Sequence, residues 1–282
     1  MAPESSIDAL LPAEMARRAE YLGERKAEMP AANMFALAIL AGAFIAIGSV
    51  FATTVAAGST PEFPYGVSRL LVGIVFSLGL ILVIVGGAEL FTGNILIVMA
   101  WASRKVSTGA LLRNWTIVYL GNLVGSVGTA VMVFLGKQYT FGGGAIGHTA
   151  LTIANSKVHL GFVQAVALGI LCNAMVCLAV WLTYSARSTI DKIAAIIFPI
   201  AGFVASGFEH SVANMYFLPV ALFIKQFDTD FVVKTGLDLS GMTWGAFILN
   251  NLLPVTIGNM IGGAFLVGGV YWFVFLRPAK NL

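Results

Sequence analysis

Charge is scarce in this sequence. Only 10% of its 282 residues are Asp, Glu, Lys or Arg, where a soluble domain carries about 25%. With 59% of the residues hydrophobic, there is too little polar surface for a water-soluble fold, and the chain belongs in a membrane. Cysteine is nearly absent: Cys172 and Cys177 share one apolar run, too far round a helix to face each other, so neither a disulfide nor a metal pair is expected. No His-Glu-x-x-His zinc signature occurs, and the paired Asn-Pro-Ala motifs of water and glycerol pores are missing too. The net charge of +3 is small and the basic residues are scattered through loops, which leaves no nucleic-acid footprint. No cofactor is expected.

What the sequence does hold is apolar runs at 34–57, 70–101, 111–135, 161–184, 193–224 and 247–275. Each is long enough to cross a bilayer as a helix, so the expected fold is an all-α membrane protein of six transmembrane helices. The second and fifth runs are too long for one simple crossing. Each is interrupted by small and polar residues, around Gly86-Gly87-Ala88-Glu89 and Ala205-Ser206-Gly207-Phe208-Glu209-His210, and reads as a discontinuous helix.

Residues 1–30 mix charges without an apolar core run, unlike a signal peptide. Leu10, Leu11, Met15, Ala16 and Ala19 fall on a helical spacing, so this segment reads as an amphipathic helix at the membrane surface or against a neighbouring subunit. A channel domain at 31–277 and a short tail at 278–282 follow. Placing both termini in the cytoplasm puts eleven Lys and Arg residues inside and five outside (Arg69, Lys137, Lys157, Lys225 and Lys234), the expected bias.

Two elements recur in order. Glu89 stands five before Asn94 and Glu209 five before Asn214; Asn114 stands seven before Gly121-Asn122 and Asn251 seven before Gly258-Asn259. The chain therefore reads as a duplication, 31–137 and 160–277, and an odd number of spans per unit makes the second copy inverted. Gly121-x-x-x-Gly125 and Gly258-x-x-x-Gly262 mark close helix packing and name no solute.

Of thirteen acidic residues only Glu89 and Glu209 lie within the runs, and of three histidines only His210 does. Ionisable groups at membrane depth are costly unless they face a cavity or a partner. The two glutamates are expected to be structural, accepting bonds from N–H groups that the breaks leave open. His210 titrates near neutrality and can attract a small anion or hand it a proton, while Thr92 at the other break offers a hydroxyl. Phe76, Leu80, Leu90, Phe91, Phe203 and Phe208 flank the breaks and suit apolar constrictions. Lys157 and His159 are placed to gather anions at the outer mouth.

At Gly87-Ala88-Glu89-Leu90-Phe91-Thr92-Gly93-Asn94 and Ala205-Ser206-Gly207-Phe208-Glu209-His210-Ser211-Val212-Ala213-Asn214 the chain resembles the formate/nitrite transporter family, over all six spans. The likeness extends to Asn122-Leu123-Val124-Gly125, Asn173 and Pro254-Val255-Thr256-Ile257-Gly258-Asn259, and the start Asp8-Ala9-Leu10-Leu11-Pro12 resembles the formate branch. The resemblance implies an aquaporin-like bundle assembled as a homopentamer in the bacterial inner membrane, with a pore in each protomer. It implies Thr92 and His210 as a central pair, Phe76 and Phe203 as one constriction, and Leu80, Leu90 and Phe91 as the other. Lys157 and Asn173 lie along the path. It further implies that the N-terminal segment gates the pore and meets an enzyme of the pyruvate formate-lyase type.

The expected function is a bidirectional channel for formate and related small weak-acid anions, with protons as a second solute. Nitrite and hydrosulfide are the alternatives within the family. A remote alternative is an intramembrane serine protease using Ser206 and His210, although the glycine expected two before the serine is Val204.

Overall fold

The computed structural model describes residues 9–58 and 63–277. The expected tail at 278–282 and Asp8 lie outside the described residues. Helices alternate with short connections: α1 (Pro12–Glu28), α2 (Ala31–Ala56), α3 (Tyr65–Gly86), α4 (Phe91–Ala102), α5 (Thr108–Leu135), α6 (Ala145–Val158), α7 (Phe162–Ser185), α8 (Thr189–Ala205), α9 (Ser211–Phe227), α10 (Thr229–Thr235) and α11 (Trp244–Phe275). No strand occurs among the described residues. Five helices, α2, α3, α5, α7 and α11, are long and apolar enough to cross a membrane.

The second and fifth apolar runs are broken as the sequence indicates, into α3 with α4 and α8 with α9. Each break begins at a glycine in the left-handed region, Gly87 at φ +78° and Gly207 at φ +74°, a conformation a Cβ would penalise. The chain then turns extended through Leu90 (φ −107°) and His210 (φ −112°) before the second half-helix starts. In that extended stretch Glu89 N–H donates to Leu37 O at 3.2 Å and Glu209 N–H to Leu168 O at 3.3 Å, so each break leans on a neighbouring long helix.

The packing repeats as well. Helix α2 lies against α3 and α5, and α7 lies against α8 and α11 in the same way. The small-residue spacing does mark the closest approaches: a Cβ on Gly125 would overlap the Ile39 carbonyl oxygen of α2, and one on Gly262 the Ile170 carbonyl of α7. The copies differ in detail. Helix α5 is regular, whereas α11 widens into π-helical turns at Phe247–Leu252 and Gly262–Gly269.

Helix α1 packs along one face on its own chain and leaves Leu11 and Tyr21 exposed. Its small face, Ala16, Ala19 and Gly23, is buried against its own chain, with Gly23 close to Ile97 and Ala100 of α4. Polar contacts hold it there: Lys105 pairs with Glu20 at 2.7 Å and Glu24 at 3.1 Å, and Arg113 donates to the carbonyls of Ala27 and Met29. Alanine and glycine let this helix approach α4 closely, and docking buries the apolar stripe that a surface helix would give to lipid. Helix α6 packs on α9 much as α1 packs on α4.

Candidate functional site

A helix break strands backbone N–H and C=O groups, and at membrane depth they need protein partners. Two asparagines from the long helices supply them. Asn122 of α5 accepts from Phe91 N–H at 2.9 Å through Oδ1, while its amide donates to the carbonyls of Ala38 and Glu89. Asn259 of α11 accepts from Ser211 N–H at 2.9 Å and donates to Gly169 O and Glu209 O. Both asparagines are fully buried.

The glutamates therefore do a different job from the one expected of them. Their carboxylates do not take the N–H groups of the break; they bind side chains. Glu89 accepts from Lys26 Nζ of α1 at 2.7 Å and from Asn94 Nδ2 at 2.6 Å. Glu209 accepts from Lys157 Nζ of α6 at 2.7 Å and from Asn214 Nδ2 at 2.7 Å. Asn114 and Asn251 close the sets: each accepts from the neighbouring asparagine amide and donates to the carbonyl of Lys26 or Lys157. A carboxylate and an ammonium in contact, the carboxylate's other oxygen bonded to an amide, is a form in which charges are tolerated in a low-dielectric interior; Lys26 Nζ adds a bond to Asn94 Oδ1 at 2.9 Å. Lys157 is thus engaged by Glu209 and only 14% exposed at its side chain, which does not fit the expectation of a free cation at the mouth. His159 is tied to Asn155 O at 2.7 Å.

Between the two clusters lies His210. Its ring is fixed at both nitrogens. As the residue before α9 it caps that helix, Nδ1 accepting from Ala213 N–H at 3.0 Å. An acceptor at Nδ1 leaves the ring proton on Nε2, so the neutral imidazole donates to Thr92 Oγ1 at 3.0 Å. His210 and Thr92 are brought together as the resemblance implies, but they do not occupy equivalent positions of the two breaks. One residue after each glutamate stand Leu90 and His210, and three after stand Thr92 and Val212.

Two cavities lie nearby, the second of them bordered by His210 itself. The first, about 320 Å³, is lined by Lys26, Leu80, Glu89, Leu90, Arg18 and Lys192 among others, on the side of α1. The second, about 210 Å³, is lined by Phe76, Phe203, Phe208, His210, Arg69 and Lys157 among others. Phe76 and Phe203 meet edge to face at 5.8 Å, and Phe203 stacks on His210 at 5.9 Å. Leu80 and Leu90 are each about 2% exposed.

Phe91 stands elsewhere than expected, whereas Asn173 bonds to the backbone of Thr92 itself. The Phe91 ring packs against Tyr119 at 4.9 Å and Trp115 at 6.4 Å, and it lines a lateral groove with Leu253 and Thr256 instead of either cavity. Its position follows from register: it is the first residue of α4 and points towards α5. Asn173 is fully buried; its amide donates to Thr92 O at 3.2 Å and Asn259 O at 2.7 Å, tying the first break to α11. Sequence reasoning missed Lys26, whose position in a charged N-terminal stretch hid its match to Lys157. The serine protease alternative fails on geometry, since both nitrogens of His210 are bonded to groups other than Ser206.

A family profile described as formate/nitrite transporter matches residues 13–273. The formate channel FocA of Escherichia coli (strain K12) is 47% identical over 281 residues, covering 98% of both chains. The formate channel FocA of Haemophilus influenzae is 41% identical over 264 residues, covering 92% of this chain and 93% of its own. A solved structure described as a pentameric formate channel with formate bound superposes with a TM-score of 0.82 at 48% identity, covering 88% of this chain and 98% of its own.

Proposed function

The chain belongs to the formate/nitrite transporter family, and from that premise we propose that it is a formate channel, carrying the anion through a separate pore in each protomer of a homopentamer. The observation that carries this reading is the bond between His210 and Thr92, lodged between two cation-lined cavities and faced by apolar side chains. The protein is a channel and not an enzyme.

The path runs from the first cavity past Leu80 and Leu90 to His210 and on past Phe203 and Phe76 to the second. A neutral histidine that donates from Nε2 suits a small oxyanion: the donor stabilises the carboxylate where the surrounding walls cannot, and the same contact serves either direction of travel. Apolar collars reject hydrated inorganic ions, whose shells no wall group replaces. With each lysine balanced by its glutamate, the breaks carry no net charge that would trap the anion midway.

The topology that fits this path is six spans as a 3+3 inverted repeat in an aquaporin-like bundle, with α3–α4 and α8–α9 as the broken spans. The repeated bonding of Glu89 and Glu209 supports it, and the eleven-to-five bias of Lys and Arg favours both termini on the cytoplasmic face of a bacterial inner membrane. On this reading α1 closes the cytoplasmic cavity and is the surface a pyruvate formate-lyase-type enzyme would meet, while lipid surrounds the bundle.

Formate flux into proteoliposomes, wild type against His210→Phe across a pH series, tests the role of the histidine. Loss of the wild-type pH response in the variant is the expected result; an unchanged profile removes His210 from proton handling. Nitrite currents without formate currents would reassign the substrate within the family.

A further inference from the structure

Two cations line the second cavity, Arg69 and Lys157. We propose that Arg69, and not Lys157, is the charge that draws an anion into it. The inference rests on the anion-channel reading above.

Lys157 is poorly placed to attract anything. Its ammonium sits 2.7 Å from Glu209 Oε1 and 5.6 Å from the centre of the Phe217 ring. Seen from the cavity, ammonium and carboxylate together form a dipole whose field fades much faster than that of a lone charge. Arg69 stands differently. It lies one turn into α3, half-buried, and among the described residues no carboxylate pairs with it.

The guanidinium is held in place without being neutralised. Nε donates to Ala205 O at 3.3 Å and Nη2 to Val204 O, the last carbonyls of α8. The C-terminal end of a helix carries at most about half a negative elementary charge, so a net positive charge remains. A guanidinium has five N–H donors and stays protonated at every working pH; two donors serve these carbonyls and three are left. The group also adjoins Gly207, three residues before His210. An anion reaching Arg69 is therefore at the edge of the break that carries the central histidine.

The first cavity is built on the same plan. Lys26 is balanced by Glu89, while Arg18 and Lys192 line the space and make no ion pair among the described residues. On each side, then, the lysine in the cluster supports the break, and separate basic residues supply the field. Removing one such charge weakens capture without touching the narrow part of the pore.

The test is flux in oriented proteoliposomes with Arg69→Gln, which keeps an amide donor for the helix end but loses the charge, and with Arg69→Lys, which keeps the charge. Assembly is checked first by size-exclusion chromatography. The expected result for Arg69→Gln is a half-saturating concentration raised on the order of three- to tenfold from the second-cavity side. Its dependence on ionic strength should flatten, with maximal flux and entry from the α1 side unchanged, and Arg69→Lys should restore most of the difference. If both variants lower maximal flux equally while half-saturation and salt response stay at wild-type values, Arg69 is only a helix cap and the proposal falls. A wild type that carries nitrite and not formate overturns the substrate assignment instead; the same comparison run with nitrite still decides the role of Arg69.

Discussion

Lys26 and Lys157 hold the same place in the two halves of the molecule. They stand 131 residues apart, as do Leu37 and Leu168, the carbonyls on which the breaks lean. Each lysine donates at 2.7 Å to the glutamate of its break and accepts an asparagine amide on its own carbonyl. Helix α1 thus bonds to the first break as α6 bonds to the second, a likeness carried by residues outside the expected units of 31–137 and 160–277.

The first prediction concerns these pairs. Removing one partner of a buried ion pair leaves the other charge stranded, at a cost of about 3–5 kcal/mol. Lys157→Met should therefore lower the unfolding temperature in detergent sharply, and Lys157→Met with Glu209→Gln should recover much of the loss. Lys26→Met should cost less, because the Lys26 side chain is 30% exposed against 14% for Lys157 and water can solvate what remains. Equal losses for the two lysines would contradict this account.

The sequence made the broken helices legible because a glutamate, a positive-φ glycine and a partner asparagine at constant spacing are all required by one geometry. Gly87, Glu89 and Asn94 are spaced as Gly207, Glu209 and Asn214 are, two and then five residues apart. Lys26 escaped notice, and the partnership of Lys157 with Glu209 was not legible, because the helices that carry the two lysines have unlike compositions: α1 is rich in charge, α6 is not, and neither shows a long hydrophobic run. Phe91 was misplaced for another reason. Adjacency to Leu90 says that a side chain is near the path, but the first turn of α4 rotates Phe91 away from the cavities towards Trp115 and Tyr119. The cap made by His210 Nδ1 depends on a single rotamer, which no spacing encodes.

Close helix approach gives a second prediction. A methyl group at Gly125 or Gly262 would meet a carbonyl oxygen of the facing helix, and backbone atoms cannot swing aside as a side chain can. Gly125→Ala and Gly262→Ala should each separate the helix pairs α2–α5 and α7–α11 enough to disturb Asn122 or Asn259, which bond across the same contacts. Little folded protein is expected on size-exclusion chromatography for either variant. Gly128→Ala, where nothing lies within 4 Å of the added carbon, should behave as wild type.

At the loop following α9, acid should act through Asp228. The Tyr139 hydroxyl, donating at 2.7 Å, and the Phe231 N–H hold the Asp228 carboxyl below its ordinary value, against the opposing effect of partial burial. Burial, and then the carboxylate itself, push Tyr139 up to about 12. A depressed carboxyl stabilises the fold above its unfolded value, near 3.9, and that contribution disappears as pH falls through the lower folded value. Tyr139→Phe should return Asp228 towards the ordinary value in a carbon-13 titration of the carboxyl; an unmoved midpoint would rule out the hydroxyl as the cause.

The histidine offers the most direct test. If Nδ1 caps α9, the side-chain oxygen of asparagine can take over that bond, whereas phenylalanine cannot; a lost cap costs about 1–2 kcal/mol. His210→Asn should therefore unfold at a higher temperature than His210→Phe, while both lose the Nε2 donor that meets Thr92. Nitrogen-15 shifts of the His210 ring at neutral pH should show a bare Nδ1 and a protonated Nε2. Adding a second proton must displace Ala213 N–H from Nδ1, so acid should loosen the first turn of α9 as it charges the ring, which ties any proton handling by His210 to movement of the break. A ring protonated at Nδ1 with the α9 cap intact would overturn this coupling.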